Sequence, residues 1–140
     1  MKKNIIKEKS FAFALRIVKL NRFLSEEKRE FVLSKQLLRS GTAIGALVRE
    51  AEHAESKADF IHKMAIALKE ANETDYWVEL LYQSKIIDKT GFESIKPDIT
   101  ELLKLLTSII KSTCSRINSY SPVDFSHKNK PFPLFTIQII

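Results

Sequence analysis

Between residues 60 and 81, apolar and small side chains return at alternating steps of four and three: Phe60, Met64, Ala67, Ala71, Thr74, Val78 and Leu81. A stripe of this period lies along one side of an α-helix and suits packing against nearly antiparallel neighbours. Ser56 stands at the head of the run with Asp59 three residues on, an acidic variant of the capping box, so the helix is expected to begin there and to reach about Ile87.

Three further segments carry the same signal. The first spans about Lys7–Leu24, with Phe13, Ile17, Leu20 and Leu24 on one face, widened by Ala14 and Val18. The second is read from about Glu26 to Glu55, with Ser25 as its cap and Glu26 and Glu27 in its first turn. Its main stripe is Leu33, Leu37, Ser40, Ile44, Leu47 and Ala51, and Leu38, Gly41, Gly45 and Val48 lie beside it. Glycine inside a helix costs about 1 kcal/mol against alanine, so Gly41 and Gly45 imply a neighbour in close approach. After a break at Asp88-Lys89-Thr90-Gly91, the fourth helix is expected to start at Pro97, with Asp98 and Glu101 as a capping pair, and to run to about Asn118. Its seam is Ile99, Leu102, Leu106, Ile109 and Thr113. Helices two and three would each be about 45 Å long at about 1.5 Å per residue. The fold class is therefore all-α, an antiparallel up-down four-helix bundle over residues 1–118.

Residues 119–140 change character. Ser-Pro, His-Lys-Asn-Lys and Pro-Phe-Pro precede a short apolar run, Leu134 to Ile140. This reads as a flexible tail, with a segment packed on a neighbouring subunit or a strand-like partner peptide as alternatives.

Of 140 residues, three are Gly and four are Pro, which suits a helical chain, and the single cysteine, Cys114, points to a reducing compartment. Neither a spanning apolar run nor the apolar core of a secretory leader is present, so a cytoplasmic, non-membrane protein is expected. The net charge of +6 is uneven. Residues 1–22 hold seven Lys/Arg against one acid, residues 23–95 ten against thirteen, and residues 96–140 six against three. Basic ends around a mildly acidic middle suggest an anionic partner, most simply nucleic acid.

Catalytic signatures are weak. Glu50 with His53, and Asp59 with His62, share the i, i+3 spacing of metal-binding bundle helices, but matching acids on helices one and four are missing beyond Glu8. Arg49 and His53 stand closer than the Arg–His spacing of helical ribonucleases. Cys114 has no nearby base, and His127 falls in the tail. The chain is read as a non-enzyme with neither cofactor nor metal. The basic faces carry more weight: Lys9, Arg16, Lys19 and Arg22 on helix one, and Lys104, Lys111 and Arg116 on helix four, which are neighbours in an up-down bundle. Lysines and arginines so placed contact phosphates of RNA or DNA without reading sequence. Little aromatic interleaving accompanies them, so stacking on single strands is not expected. The alternative is a protein-interaction scaffold that uses Trp77, with Tyr76 and Tyr82 nearby, or the apolar tail.

Three pieces of the chain resemble a known family: Phe11-Ala-Phe-Ala-Leu-Arg-Ile-Val-Lys-Leu20, Gln36-Leu-Leu-Arg-Ser-Gly-Thr-Ala-Ile-Gly45, and the run from Ser56 to Thr74. They resemble the 23S rRNA intervening-sequence proteins and the related accessory variability determinant of diversity-generating retroelements. The resemblance implies a four-helix bundle assembled as a homopentamer, with a basic surface, nucleic acid as partner and, from the retroelement side, a reverse transcriptase. The chain departs from the family pattern at Leu47, where the family carries Asn, and in its apolar tail.

Overall fold

A computed structural model describes residues 4–120, with side chains through Arg116. Four helices follow one another: α1 (Ile5–Glu26), α2 (Val32–Glu52), α3 (Lys57–Gln83) and α4 (Lys89–Tyr120). Each packs on its sequence neighbour, and α4 returns against α1 across the loosest of the four seams. Cross-links fix the alternating directions. Asn21 Nδ2 donates to the Ser34 carbonyl and Lys7 pairs with Glu52 between α1 and α2. Arg39 binds Glu70 and Glu73 between α2 and α3, and Lys96 binds Asp75 and Glu79 between α3 and α4. The expected up-down bundle is the observed one.

The seam of α3 forms the centre. Met64, Ala67, Ala71, Thr74, Val78 and Leu81 are buried, and Phe60 packs at the edge while Ile61 takes the buried place at that end. Facing them are Phe13, Ile17 and Leu24 of α1, Leu37, Ile44 and Val48 of α2, and Ile95, Ile99, Leu102 and Leu106 of α4. Gly41 and Gly45 do sit at a close approach, to Ile17 and to the Ser10 backbone of α1 respectively. One buried polar contact crosses the core: Thr74 Oγ1 lies 2.9 Å from Ser40 Oγ.

Several boundaries differ from expectation. Ser25 does not cap α2; it lies in the last turn of α1, which buried Leu24 holds against the core. The chain then reverses through Arg29 in the left-handed region (φ 54°), closed by Glu30 N–H donating to the Leu24 carbonyl at 2.9 Å. The start of α2 is held instead by the Glu30 carboxylate, which accepts from the backbone N–H groups of Leu33 (2.9 Å), Ser34 (2.7 Å) and Val32 (3.2 Å). Helix α3 stops at Gln83 rather than Ile87. Lys85 is left-handed (φ 63°), and the N–H groups of Ile86 and Ile87 fold back onto the Leu81 carbonyl. At about 1.5 Å per residue, α2 with 21 residues is about 32 Å long and α3 with 27 about 40 Å, both shorter than expected.

The largest correction concerns α4, which begins at Lys89 and contains Pro97 two turns inside. Asp88 caps it, accepting from Gly91 N–H at 2.8 Å. Buried Ile95 and the stack of Phe92 on Tyr82 (ring centroids 4.2 Å apart) tie these extra turns to α3. Pro97 and Glu93 are both exposed, and the proline has no N–H to donate to the Glu93 carbonyl. Helix α4 reaches Tyr120, two residues into the expected tail; the rest of that tail, with His127, lies outside the described residues. Among the described residues, no helix is long and apolar enough to cross a membrane.

Candidate nucleic-acid interface

The antiparallel register of α1 and α4 decides what their basic residues can do. Lys9 meets Glu101 in an ion pair, and the Glu101 carboxylate raises the pKa of the lysine by hydrogen bond and charge. Arg16 binds Asp98 through Nη1, and donates to the Ser94 carbonyl (2.9 Å) and the Ser94 hydroxyl (2.5 Å). These two residues therefore latch α4 to α1. The expectation that Lys9, Arg16 and Lys19 stand beside Lys104 and Lys111 as one strip needs correction, because acids on α4 neutralise its middle.

The remaining cations divide into two groups. Lys19 and Arg22 are exposed on α1 beyond the Arg16 latch, toward the start of α4. Lys104 and Lys111 are exposed two turns apart on α4 and frame a shallow depression with Leu103, Thr107 and Ser108. Among the described residues, these four form no ion pair with a carboxylate. Arg116 is exposed near the far end of α4.

Other candidates are occupied differently. Glu50 pairs with Lys63 (3.3 Å), and Asp59 accepts from the Glu55 N–H (3.2 Å) while its own N–H donates to Ser56, completing the expected cap of α3. His53 ends α2 and His62 is exposed on α3. Among the described residues, no three His, Cys, Asp or Glu side chains gather as a metal site. Trp77 is half-buried with its Nε1–H buried and unpartnered, and Tyr76 packs edge-on against it (centroids 5.0 Å, 68°) while remaining 57% exposed.

Sequence reading overlooked one basic region. Lys28, Arg29, Glu30 and Phe31 from the α1–α2 connection, with Val32 at the start of α2, share a cleft with Lys85 and Ile86 from the α3–α4 connection. The residues are far apart in the chain, and only the up-down topology brings the two connections to the same end.

A four-helix up-down bundle whose surface carries separate cationic patches defines a class of small helical bundle proteins. Within that class, this chain belongs to the 23S rRNA-intervening sequence protein family, whose sequence model matches residues 2–108. A solved structure from Bacteroides thetaiotaomicron VPI-5482, described as a protein of unknown function from the S23 ribosomal protein family, is 61% identical. That similarity covers 79% of this chain and 99% of the other, with a TM-score of 0.77. A comparison with curated proteins finds no match.

Proposed function

We propose that this protein is a non-enzymatic, cytoplasmic homo-oligomer, a pentamer as the family resemblance implies, that binds RNA or DNA through phosphate contacts. The observation that carries this reading is the set of four exposed cations, Lys19, Arg22, Lys104 and Lys111, without carboxylate partners among the described residues. An ion-paired lysine must break its pair before it can replace a phosphate counterion, whereas these four need not. The family's name, which refers to 23S rRNA, supports an RNA partner.

The test is binding of the purified full chain to duplex DNA and to structured RNA across a salt series, with mass measured by light scattering. Phosphate contact makes log K fall with log salt by about 0.9 per contact on a DNA duplex. Replacing Lys104 and Lys111 with Glu should reduce the slope by about 1.8 and weaken binding at least about tenfold. Absence of binding at about 50 mM salt would end this reading.

One observation favours a protein-scaffold alternative. Tyr76 is 57% exposed and packs edge-on against Trp77, and an exposed aromatic of this kind suits contact with a partner polypeptide, such as the reverse transcriptase of the retroelement resemblance. Protein purified at low salt that carries no absorbance excess at 260 nm, and that gains none with added nucleic acid, would favour the scaffold.

A further inference from the structure

The end of the bundle that carries the α1–α2 and α3–α4 connections combines charge with flat apolar surface. Lys28, Arg29 and Lys85 line its cleft together with Glu30, Phe31, Val32 and Ile86. Phe31 is 59% and Val32 72% exposed, adjacent residues that the core does not use. Lys28 Nζ also lies 5.9 Å from the centroid of the Phe23 ring, itself an exposed aromatic.

The backbone adds an independent observation. Arg29 and Lys85 are the two non-glycine residues with positive φ in the described chain, at 54° and 63°. Each closes a helix in the left-handed conformation that glycine adopts without cost, and each is a cation. Cations at these positions complement the C-terminal dipoles of α1 and α3. That local benefit does not account for the exposed Phe31–Val32 pair set between them.

Glu30 is the one acid among the residues that line the cleft, against the three cations Lys28, Arg29 and Lys85. The Glu30 carboxylate is held by three backbone N–H groups at the start of α2, and Asp88 caps α4. The helix N-termini at this end are thus already filled by carboxylates, and a visiting anion would meet the side chains of Lys28, Arg29 and Lys85 instead.

We infer that this end is a second nucleic-acid site, specific for unpaired strands, in which Lys28, Arg29 and Lys85 hold phosphates and Phe31 stacks on a base. This deepens the proposed function and rests on it. Cations next to an exposed aromatic are the combination that single strands require, because every base offers a face to stack while the backbone follows the charge. A regular duplex keeps its bases stacked on one another and offers Phe31 no such face. The α4 depression around Lys104 and Lys111 lacks an aromatic ring and suits a duplex backbone.

Fluorescence anisotropy with a labelled single-stranded oligonucleotide and its duplex, on the full chain, tests the assignment. Phe31→Ala should weaken single-strand binding by about tenfold or more while duplex binding stays within about twofold. Arg29→Gly with Lys85→Gly should lower the single-strand salt slope by about 1.4, or 0.7 for each lost contact. Glycine suits both backbone positions, so this double variant should unfold at no lower temperature than the parent, which separates loss of binding from loss of fold.

Single-strand binding unchanged in both variants, but lost on charge reversal at Lys104 and Lys111, would overturn this site and leave the proposed function standing. A parent protein that binds neither form at low salt would remove both readings. Polyglutamate that competes equally per charge, insensitive to Phe31→Ala, would reassign the end to acidic protein segments and overturn the proposal.

Discussion

Ile17 of α1 closes directly over Gly41 of α2. A β-carbon added at Gly41 would lie 2.8 Å from Ile17 Cγ1 and 2.9 Å from Cγ2. Ile17 is fully buried and branched at Cβ, so these carbons are not the loose end of a flexible chain. The glycine thus sets how near the first two helices pack.

Gly41→Ala should therefore destabilise the protein. Overpacking costs about 1–3 kcal/mol, against about 1 kcal/mol gained in helix propensity. The expected net loss in urea unfolding is up to about 2 kcal/mol, and adding Ile17→Val should recover part of it. Gly45→Ala should cost less, since its nearest contact is the Ser10 carbonyl oxygen at 3.3 Å. A Gly41→Ala protein as stable as the parent would contradict this packing.

The hydroxyls of Thr74 and Ser40 form a coupled pair inside the core. Thr74 Oγ1 also lies 2.7 Å from the Glu70 carbonyl, whereas the other contact of Ser40, the Leu37 carbonyl, is at 3.5 Å. Thr74→Val leaves the Ser40 hydroxyl poorly satisfied and should cost about 1–3 kcal/mol. Ser40→Ala combined with Thr74→Val should cost less than the sum of the single changes. Strict additivity in the double-mutant cycle would show that the two groups do not interact.

Glu30 should make the stability of α2 depend on acid. Burial pushes its pKa upward, but hydrogen bonds from the backbone of Leu33, Ser34 and Val32 outweigh this and hold it below the ordinary value of 4.5. A lowered folded pKa adds stability that is present above 4.5 and is lost as pH falls through the folded value. Glu30→Ala should cost about 1 kcal/mol at neutral pH, the usual magnitude of a lost cap. The difference between parent and variant should shrink as the pH is taken below 4.5, as followed by circular dichroism melts. A difference constant down to pH about 3 would rule out the charged cap.

Arg16 and Lys111 should separate by readout, although sequence alone placed both on one surface. Arg16→Glu would face Asp98 and lose the Ser94 contacts, so its melting temperature should fall. The pair is partly exposed, and its loss in Arg16→Ala should be about 1 kcal/mol or less. Exchanging the charges, Arg16→Glu with Asp98→Arg, should restore much of the stability lost in Arg16→Glu. Lys111→Glu should change stability by no more than about 0.5 kcal/mol and act on binding instead. A melting temperature unmoved by Arg16→Glu would mean that the latch carries no weight.

The heptad of α3 was legible because one face of one helix repeats it without interruption, and six of its seven positions are buried in the structure. The role of the glycines was legible because their cost in a helix demands a close neighbour. The ends of the helices were less so. Ser25-Glu26-Glu27 has the composition of a helix start, yet Leu24 and its contacts carry α1 through Glu26, and the carboxylate of Glu30 supplies the cap. Pro97 suits a first turn equally well, but Ile95 and the Phe92–Tyr82 stack recruit the preceding residues into α4. In both cases, packing against another helix outweighed the local signal.

By itself, the sequence determined that four amphipathic segments would bury their stripes in a common bundle, because periodicity is a property of each segment alone. Only the tertiary structure decided which cations remain available. The charge of Lys9 or Arg16 is spent on whichever acid the antiparallel register sets opposite, and that register is a relation between two helices. The same holds for the end cleft, where Arg29 and Lys85 meet around Phe31 because the bundle turns twice at one end.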